Sequence, residues 1–308
     1  MNPAIRMSGV LSPVVTPFRA DLSVDADALV QQCRWLLSQD TGLAVFGTNS
    51  EANSLSVAEK IEALEALVDA GIDTARMMPG TGCCALPDSV ALTRAAASLG
   101  CAGTLMLPPF YYKGVSDDAL YRSYSEIIQR VGDEKLRVYL YHIPPVAQVG
   151  ISMDLIERLL RDYPGTIAGI KDSSGDWSNA AAMHARQWDD FQIFVGTEAL
   201  LLENMRAGGA GCISATANVN PAAIVDLYRN WQSADADVKQ QALSDLRGIV
   251  QQRAMIPALK AIVAHYSGKS EWRTVRPPLL SLTDQDCRDL IAALDAQNFA
   301  MPGLATND

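Results

Sequence analysis

Histidine is scarce in this 308-residue chain. Only His142, His184 and His265 are present, and no H-E-x-x-H or related spacing groups them with carboxylates or thiols, so a zinc site has no ligand set. The six cysteines (Cys33, Cys83, Cys84, Cys101, Cys212 and Cys287) form no C-x-x-C pair and keep no regular spacing. That pattern suits reduced thiols in a cytoplasmic protein and argues against a disulfide framework. The adjacent Cys83-Cys84 reads first as two small apolar loop residues, with redox sensitivity as the sharper alternative. Positive charge is also short. The 25 Lys and Arg stand against 35 Asp and Glu, and a net charge of −10 argues against nucleic acid or an anionic membrane as the main partner. No apolar run approaches the roughly 18 residues of a membrane span. The N-terminus has no basic stretch followed by a long apolar core, so no signal peptide is expected.

What the chain does contain is an ordinary globular core, 49% hydrophobic, arranged in a repeating pattern. Short apolar runs are expected as strands at Gly9–Val15, Leu43–Phe46, Arg76–Met78, Thr104–Leu107, Arg137–Tyr141, Thr166–Lys171, Phe191–Val195 and Gly211–Ser214. Each is followed by a helical pattern, several with start signals such as Asp25, the Ser56/Glu59 capping box, Pro87 and Ser152. Eight strand–helix units in register favour an α/β fold of the (β/α)8 TIM barrel type over a doubly wound sheet. The barrel is expected over residues 1–233. Residues 234–308 hold three helical patterns and no convincing strand, and are expected to form a C-terminal helical appendage.

Lys171 is unusual among the seven lysines because it alone closes an apolar, β-branched strand, which counts as the sixth. It is either snorkelling to water, paired with Asp172, or held for chemistry. Desolvation penalises an ammonium, which would make the amine a better nucleophile toward a carbonyl. Sites of (β/α)8 barrels lie at the C-terminal strand ends. Here those ends carry Thr48, Gly80-Thr81, Tyr111-Tyr112, Tyr141, Lys171, Gly196 and Ser214. No carboxylate pair for hydrolysis, no Ser/His/Asp order and no phosphate-gripping glycine loop stands among them. An amine beside phenols fits imine chemistry, with a phenol moving protons, although a core tyrosine with a satisfied hydroxyl is an equal reading of Tyr141.

Over nearly its whole length the chain resembles the pyruvate-dependent class I aldolases of the dihydrodipicolinate synthase / N-acetylneuraminate lyase family. The resemblance is carried by Gly47-Thr48-Asn49-Ser50-Glu51, Tyr111-Tyr112, Tyr141-His142-Ile143-Pro144, Gly169-Ile170-Lys171-Asp172-Ser173-Ser174-Gly175, and the stretch from Gly211 to Val219. It implies Lys171 as the Schiff-base lysine and Tyr141 as the proton-transferring phenol. It further implies Thr48 and Asn49 as receivers of the pyruvate carboxylate, and Ile213 beside the bound keto acid. Tyr112, with Tyr111 as the register alternative, is implied to relay protons into a neighbouring subunit of a homotetramer built as a dimer of dimers. No metal or other cofactor is called for.

Two departures narrow the function. Asn49 and Ser50 stand where the synthase branch has a second hydroxyl residue and a glycine. The stretch Pro145-Val146-Ala147-Gln148 carries no cation where that branch has a carboxylate-clamping arginine. Losing such a partner costs about 1.5–3 kcal/mol, which counts against dihydrodipicolinate synthesis. The expected activity is a Schiff-base lyase joining or splitting pyruvate and an aldehyde, on substrates such as 4-hydroxy-2-oxoglutarate or 2-keto-3-deoxy sugar acids. A dehydratase using the same imine, the synthase itself, and a non-catalytic keto-acid sensor are the alternatives. His142 is expected to pack as a hydrogen-bonded neighbour, because strand alternation turns it away from the face of Tyr141.

Overall fold

A computed structural model describes residues 6–304 of the chain. The outer ends of the segments expected at 1–233 and 234–308 lie outside the described residues. Among those residues, seven short parallel strands form one curled sheet: β1 (Gly9–Ser12), β2 (Gly42–Leu43), β3 (Thr104–Met106), β4 (Val138–His142), β5 (Ile167–Asp172), β6 (Gln192–Val195) and β7 (Gly211–Ile213). Their order is β2-β1-β7-β6-β5-β4-β3. The helices are α1 (Ala26–Ser38), α2 (Val57–Asp69), α3 (Leu86–Ser98), α4 (Asp117–Val131), α5 (Pro144–Ala147), α6 (Met153–Asp162), α7 (Trp177–Ala185), α8 (Leu201–Arg206), α9 (Pro221–Arg229), α10 (Ala236–Val250), α11 (Met255–Ser267) and α12 (Asp284–Asp295). None is long and apolar enough to cross a membrane.

Residues 77–81 run between the two outer strands of that order. The Met78 and Gly80 N–H groups donate to Leu43 O (2.8 Å) and Val45 O (2.7 Å) on one side. On the other, Leu105 N–H donates to Pro79 O (2.9 Å) and Thr81 N–H to Leu105 O (3.0 Å). The strand expected at Arg76–Met78 begins later than the apolar pattern implies. Asp73 caps a 3-10 turn over Thr74–Arg76, and pairing starts at Met77. It stays confined to isolated bridges, because Pro79 has no N–H to give the ladder. Lys171 stands on β5, the fifth strand of the sheet, and on the sixth when the bridged segment 77–81 is counted between β2 and β3. Gly80 is obligatory at this seam, since a Cβ there would lie 2.1 Å from Phe46 O.

Helix starts follow the local chemistry. Ser56 accepts the Glu59 N–H at 3.2 Å, and Glu59 returns to the Ser56 N–H at 2.8 Å, closing the capping box of α2. At α1, α4, α6 and α12 the side chains of Asp25, Ser116, Ser152 and Thr283 each accept one N–H of the first turn. Every residue of β5 is buried, as a parallel strand covered on both faces requires. The sheet interior is filled by Leu11, Ala44, Met78, Leu105, Tyr139, Tyr141, Phe194 and Ile213. Helices α10–α12 place Leu246, Leu259, Ile262 and Leu290 in one apolar cluster with Leu36 of α1 and Leu67 of α2.

One ion pair fastens the C-terminal helices to α2. The Arg276 guanidinium bonds the Glu59 carboxylate and the carbonyls of Leu22 and Ser54. Arg276 holds the Glu59 carboxyl down at about 2, from an ordinary value of 4.5. A depressed carboxyl contributes stability that is fully present above its unfolded value and lost as pH falls through its folded value. Solvent screening at this partly exposed site limits the contribution to about 1 kcal/mol. Glu59→Gln is expected to flatten the stability loss between pH 4.5 and about 2, read by urea denaturation at stepped pH. An unchanged pH slope would contradict the assignment.

Candidate active site

The register of β4 and β5 sets Tyr141 directly beside Lys171, so both side chains leave the sheet on the same inner face. Lys171 is 2% exposed. Its Nζ donates to the Tyr141 hydroxyl at 3.2 Å and lies 4.2 Å from the centre of that ring. Asp172, the next residue, faces the other way. Its carboxylate accepts from Ser174 N–H (2.9 Å) and Asn179 Nδ2 (3.0 Å), so the ion pair considered for Lys171 is not made. The close approach of the strands depends on Gly169, where a Cβ would fall 2.3 Å from Gln192 O and 2.8 Å from the Tyr139 ring.

The Tyr141 hydroxyl also lies 3.1 Å from Thr48 Oγ1, which completes a line Thr48–Tyr141–Lys171. Thr48 comes from a tightly specified turn. Phe46 before it and Glu51 after it both hold positive φ (61° and 56°), an unfavourable state for side-chain-bearing residues. Ser50 ties the turn internally, accepting Gly47 N–H at 3.2 Å, and Thr16 Oγ1 donates to Ser50 O at 2.7 Å. Glu51 anchors it from outside. Its carboxylate takes Lys260 Nζ and, at 2.9 Å, the Arg276 N–H. Among the described residues, the Thr48 and Asn49 amides meet no backbone acceptor. Ile213 is fully buried and packs in the interior cluster with Tyr141.

The structure thus gathers Lys171, Tyr141 and Thr48, with Asn49 adjoining and Ile213 in the interior cluster that holds Tyr141. It does not bring Tyr111 and Tyr112 into that hydrogen-bonded line. They stand 74% and 73% exposed, edge to face with ring centres 5.3 Å apart. His142 packs away from the site as alternation predicts: Nδ1 accepts Ile151 N–H at 3.0 Å, and burial lowers its pKa against the pull of Asp172.

Three features escaped the sequence reading. Glu51 and Lys260 form a fully buried ion pair across 209 positions. Glu198, 1% exposed, accepts from Ser214 and Thr216 hydroxyls after β7 and from Arg247 of α10 at 2.8 Å. Lys113 donates to Phe110 O and, at 2.6 Å, to Ala147 O, bridging the loops that follow β3 and β4. The first of these had one local signal, a glutamate inside the glycine-led turn. The other two join segments that no local pattern links.

Residues 6–297 match the dihydrodipicolinate synthetase family. The chain belongs to that family. A DapA-like lyase of Chloroflexus aurantiacus is 34% identical over 292 residues, covering 93% of this chain and 96% of the relative. The 4-hydroxy-tetrahydrodipicolinate synthase of Thermus thermophilus is 33% identical, covering 74% of this chain and 75% of that one. The crystal structure of dihydrodipicolinate synthase from Agrobacterium tumefaciens superposes with a TM-score of 0.85 at 32% identity, covering 94% of this chain and 98% of the other. The family consists of lyases and aldolases, and this chain is an enzyme of that kind.

Proposed function

We propose that the enzyme is a class I aldolase-type lyase that forms a Schiff base between Lys171 and a 2-keto acid and makes or breaks the bond between pyruvate and an aldehyde. The hydrogen-bonded line Thr48–Tyr141–Lys171 carries this reading. The Lys171 amine adds to the C2 carbonyl, and Tyr141 donates the proton with which the carbinolamine oxygen leaves as water. In the cleavage direction the C4 hydroxyl gives its proton to the Tyr141 oxygen. The C3–C4 bond breaks, its electron pair passes into the iminium, and the aldehyde departs. The remaining enamine takes a proton at C3, and hydrolysis of the imine frees pyruvate and Lys171. In this reading the free amides of Thr48 and Asn49 receive the pyruvate carboxylate, and Ile213 walls the keto acid from below.

The hydrogen bonds that carry residues 77–81 between the two outer strands support reading the fold as a closed (β/α)8 barrel over 1–233, with 234–308 as a helical appendage. The same reading makes the enzyme a cytoplasmic homotetramer in which the exposed Tyr112, or Tyr111, completes a neighbour's proton relay. A panel of 4-hydroxy-2-oxoglutarate and 2-keto-3-deoxy sugar acids, assayed for aldehyde release and for loss of water, tests the reaction class. Tyr141→Phe is expected to lower turnover by roughly 10²–10⁴-fold, the range for a lost general acid or base, while Lys171 is still trapped by borohydride with pyruvate. Turnover within twofold of wild type would remove Tyr141 from proton transfer.

A further inference from the structure

We propose that Lys113 is the specificity-determining cation of this site, and that it selects 2-keto acids whose far end carries a carboxylate. The proposal rests on the Schiff-base reading of Lys171. Lys113 belongs to the loop after β3, yet its ammonium reaches the last residue of α5, in the loop that follows Tyr141. Its two acceptors, Phe110 O and Ala147 O, belong to residues packed in the interior cluster that contains Tyr141. The ammonium therefore ties the loop after β3 to the segment that follows Tyr141, where Pro145-Val146-Ala147-Gln148 offers no cation of its own.

Two carbonyls satisfy two of the three ammonium donors and leave one for an incoming acceptor. Lys113 is exposed, and no carboxylate among the described residues pairs with it, so its remaining donor faces solvent where a substrate's acceptor can replace water. An anionic substrate tail supplies both the missing acceptor and the missing counter-charge. The carbonyl contacts also hold the long side chain in place, which reduces the ordering cost of binding. Selectivity of this kind arises from a site that leaves a cation unpaired when the neutral-tailed analogue binds.

The test uses keto acids that form an imine and need not be cleaved. The full-length enzyme is titrated with 2-oxoglutarate, which has a distal carboxylate, or with 2-oxobutyrate, which has a methyl tail. Borohydride reduces the imine to a stable amine, and intact mass gives the half-saturating concentration. Lys113→Met is expected to raise that concentration about tenfold or more for 2-oxoglutarate, on the scale of a lost charged hydrogen bond, and less than twofold for 2-oxobutyrate. Lys113→Arg is expected to keep the preference. Equal shifts for both acids would assign Lys113 only to tying the loops and overturn the proposal. Unshifted values, or a wild-type enzyme that takes 2-oxobutyrate but not 2-oxoglutarate, would overturn it as well. Pyruvate is trapped alongside. A wild-type enzyme that gains no pyruvate adduct defeats the imine reading itself, whereas a normal pyruvate adduct with unmoved selectivity defeats only the role of Lys113.

Discussion

Lys171→Ala is expected to lower turnover by at least about 10⁴-fold, because no other group in the Thr48–Tyr141–Lys171 line can form the imine. Lys171→Arg makes the sharper comparison. A guanidinium keeps the positive charge next to Tyr141 and can still donate to its hydroxyl, but it does not deprotonate to a nucleophile. If Lys171 acts only as a charge, the arginine variant retains much of the activity. If it acts as a nucleophile, arginine and alanine are equally dead, and steady-state assay of the two variants decides the matter. Both variants are expected to melt cooperatively, since Lys171 makes one side-chain hydrogen bond and no ion pair with Asp172.

The second large effect concerns stability. Glu51 and Lys260 are both fully buried, and each has a further partner, Arg276 N–H for the carboxylate and Thr274 O for the ammonium. Burial pushes the Lys260 pKa down, against the pull of Glu51. Glu51→Ala strands that ammonium in the interior and is expected to cost about 3–5 kcal/mol, read as a lower urea midpoint at constant slope. It also releases the turn that holds Thr48, so residual activity should fall further than the folded fraction alone explains. The double variant Glu51→Leu/Lys260→Met is expected to recover much of the stability, because removing both charges avoids the orphan. A loss below about 1 kcal/mol for Glu51→Ala would mean that water already reaches the pair.

The parts of the molecule that could be read from the sequence are those written in short stretches. The apolar runs that became β4 and β5, the capping box at Ser56 and Glu59, and the lysine near the end of β5 are local patterns, and period-two alternation turned His142 away from the face of Tyr141, whereas the pairing of Lys171 with Asp172 stayed open until the structure. The third strand was misplaced by a residue or so, because the apolar signal of Arg76–Met78 overlaps a 3-10 turn whose cap, Asp73, lies upstream. Long-range pairs were invisible for a different reason. The contacts Lys260–Glu51, Arg247–Glu198 and Lys113–Ala147 depend on how loops and helices converge in space, and neither charge order nor periodicity encodes that convergence. The segment after Tyr141 shows the consequence: it carries no cation in sequence order, while the neighbouring loop brings the Lys113 ammonium to the Ala147 carbonyl.

Covalent joining of Lys171 to the substrate can be caught by trapping the imine. The enzyme is incubated with pyruvate, reduced with borohydride, digested and sequenced by mass spectrometry. A reduced pyruvyl adduct is expected on the peptide carrying Lys171, absent when pyruvate is omitted and absent from Lys171→Ala. An enzyme that turns over keto acids yet gains no adduct, or an adduct that persists on Lys171→Ala, would contradict it.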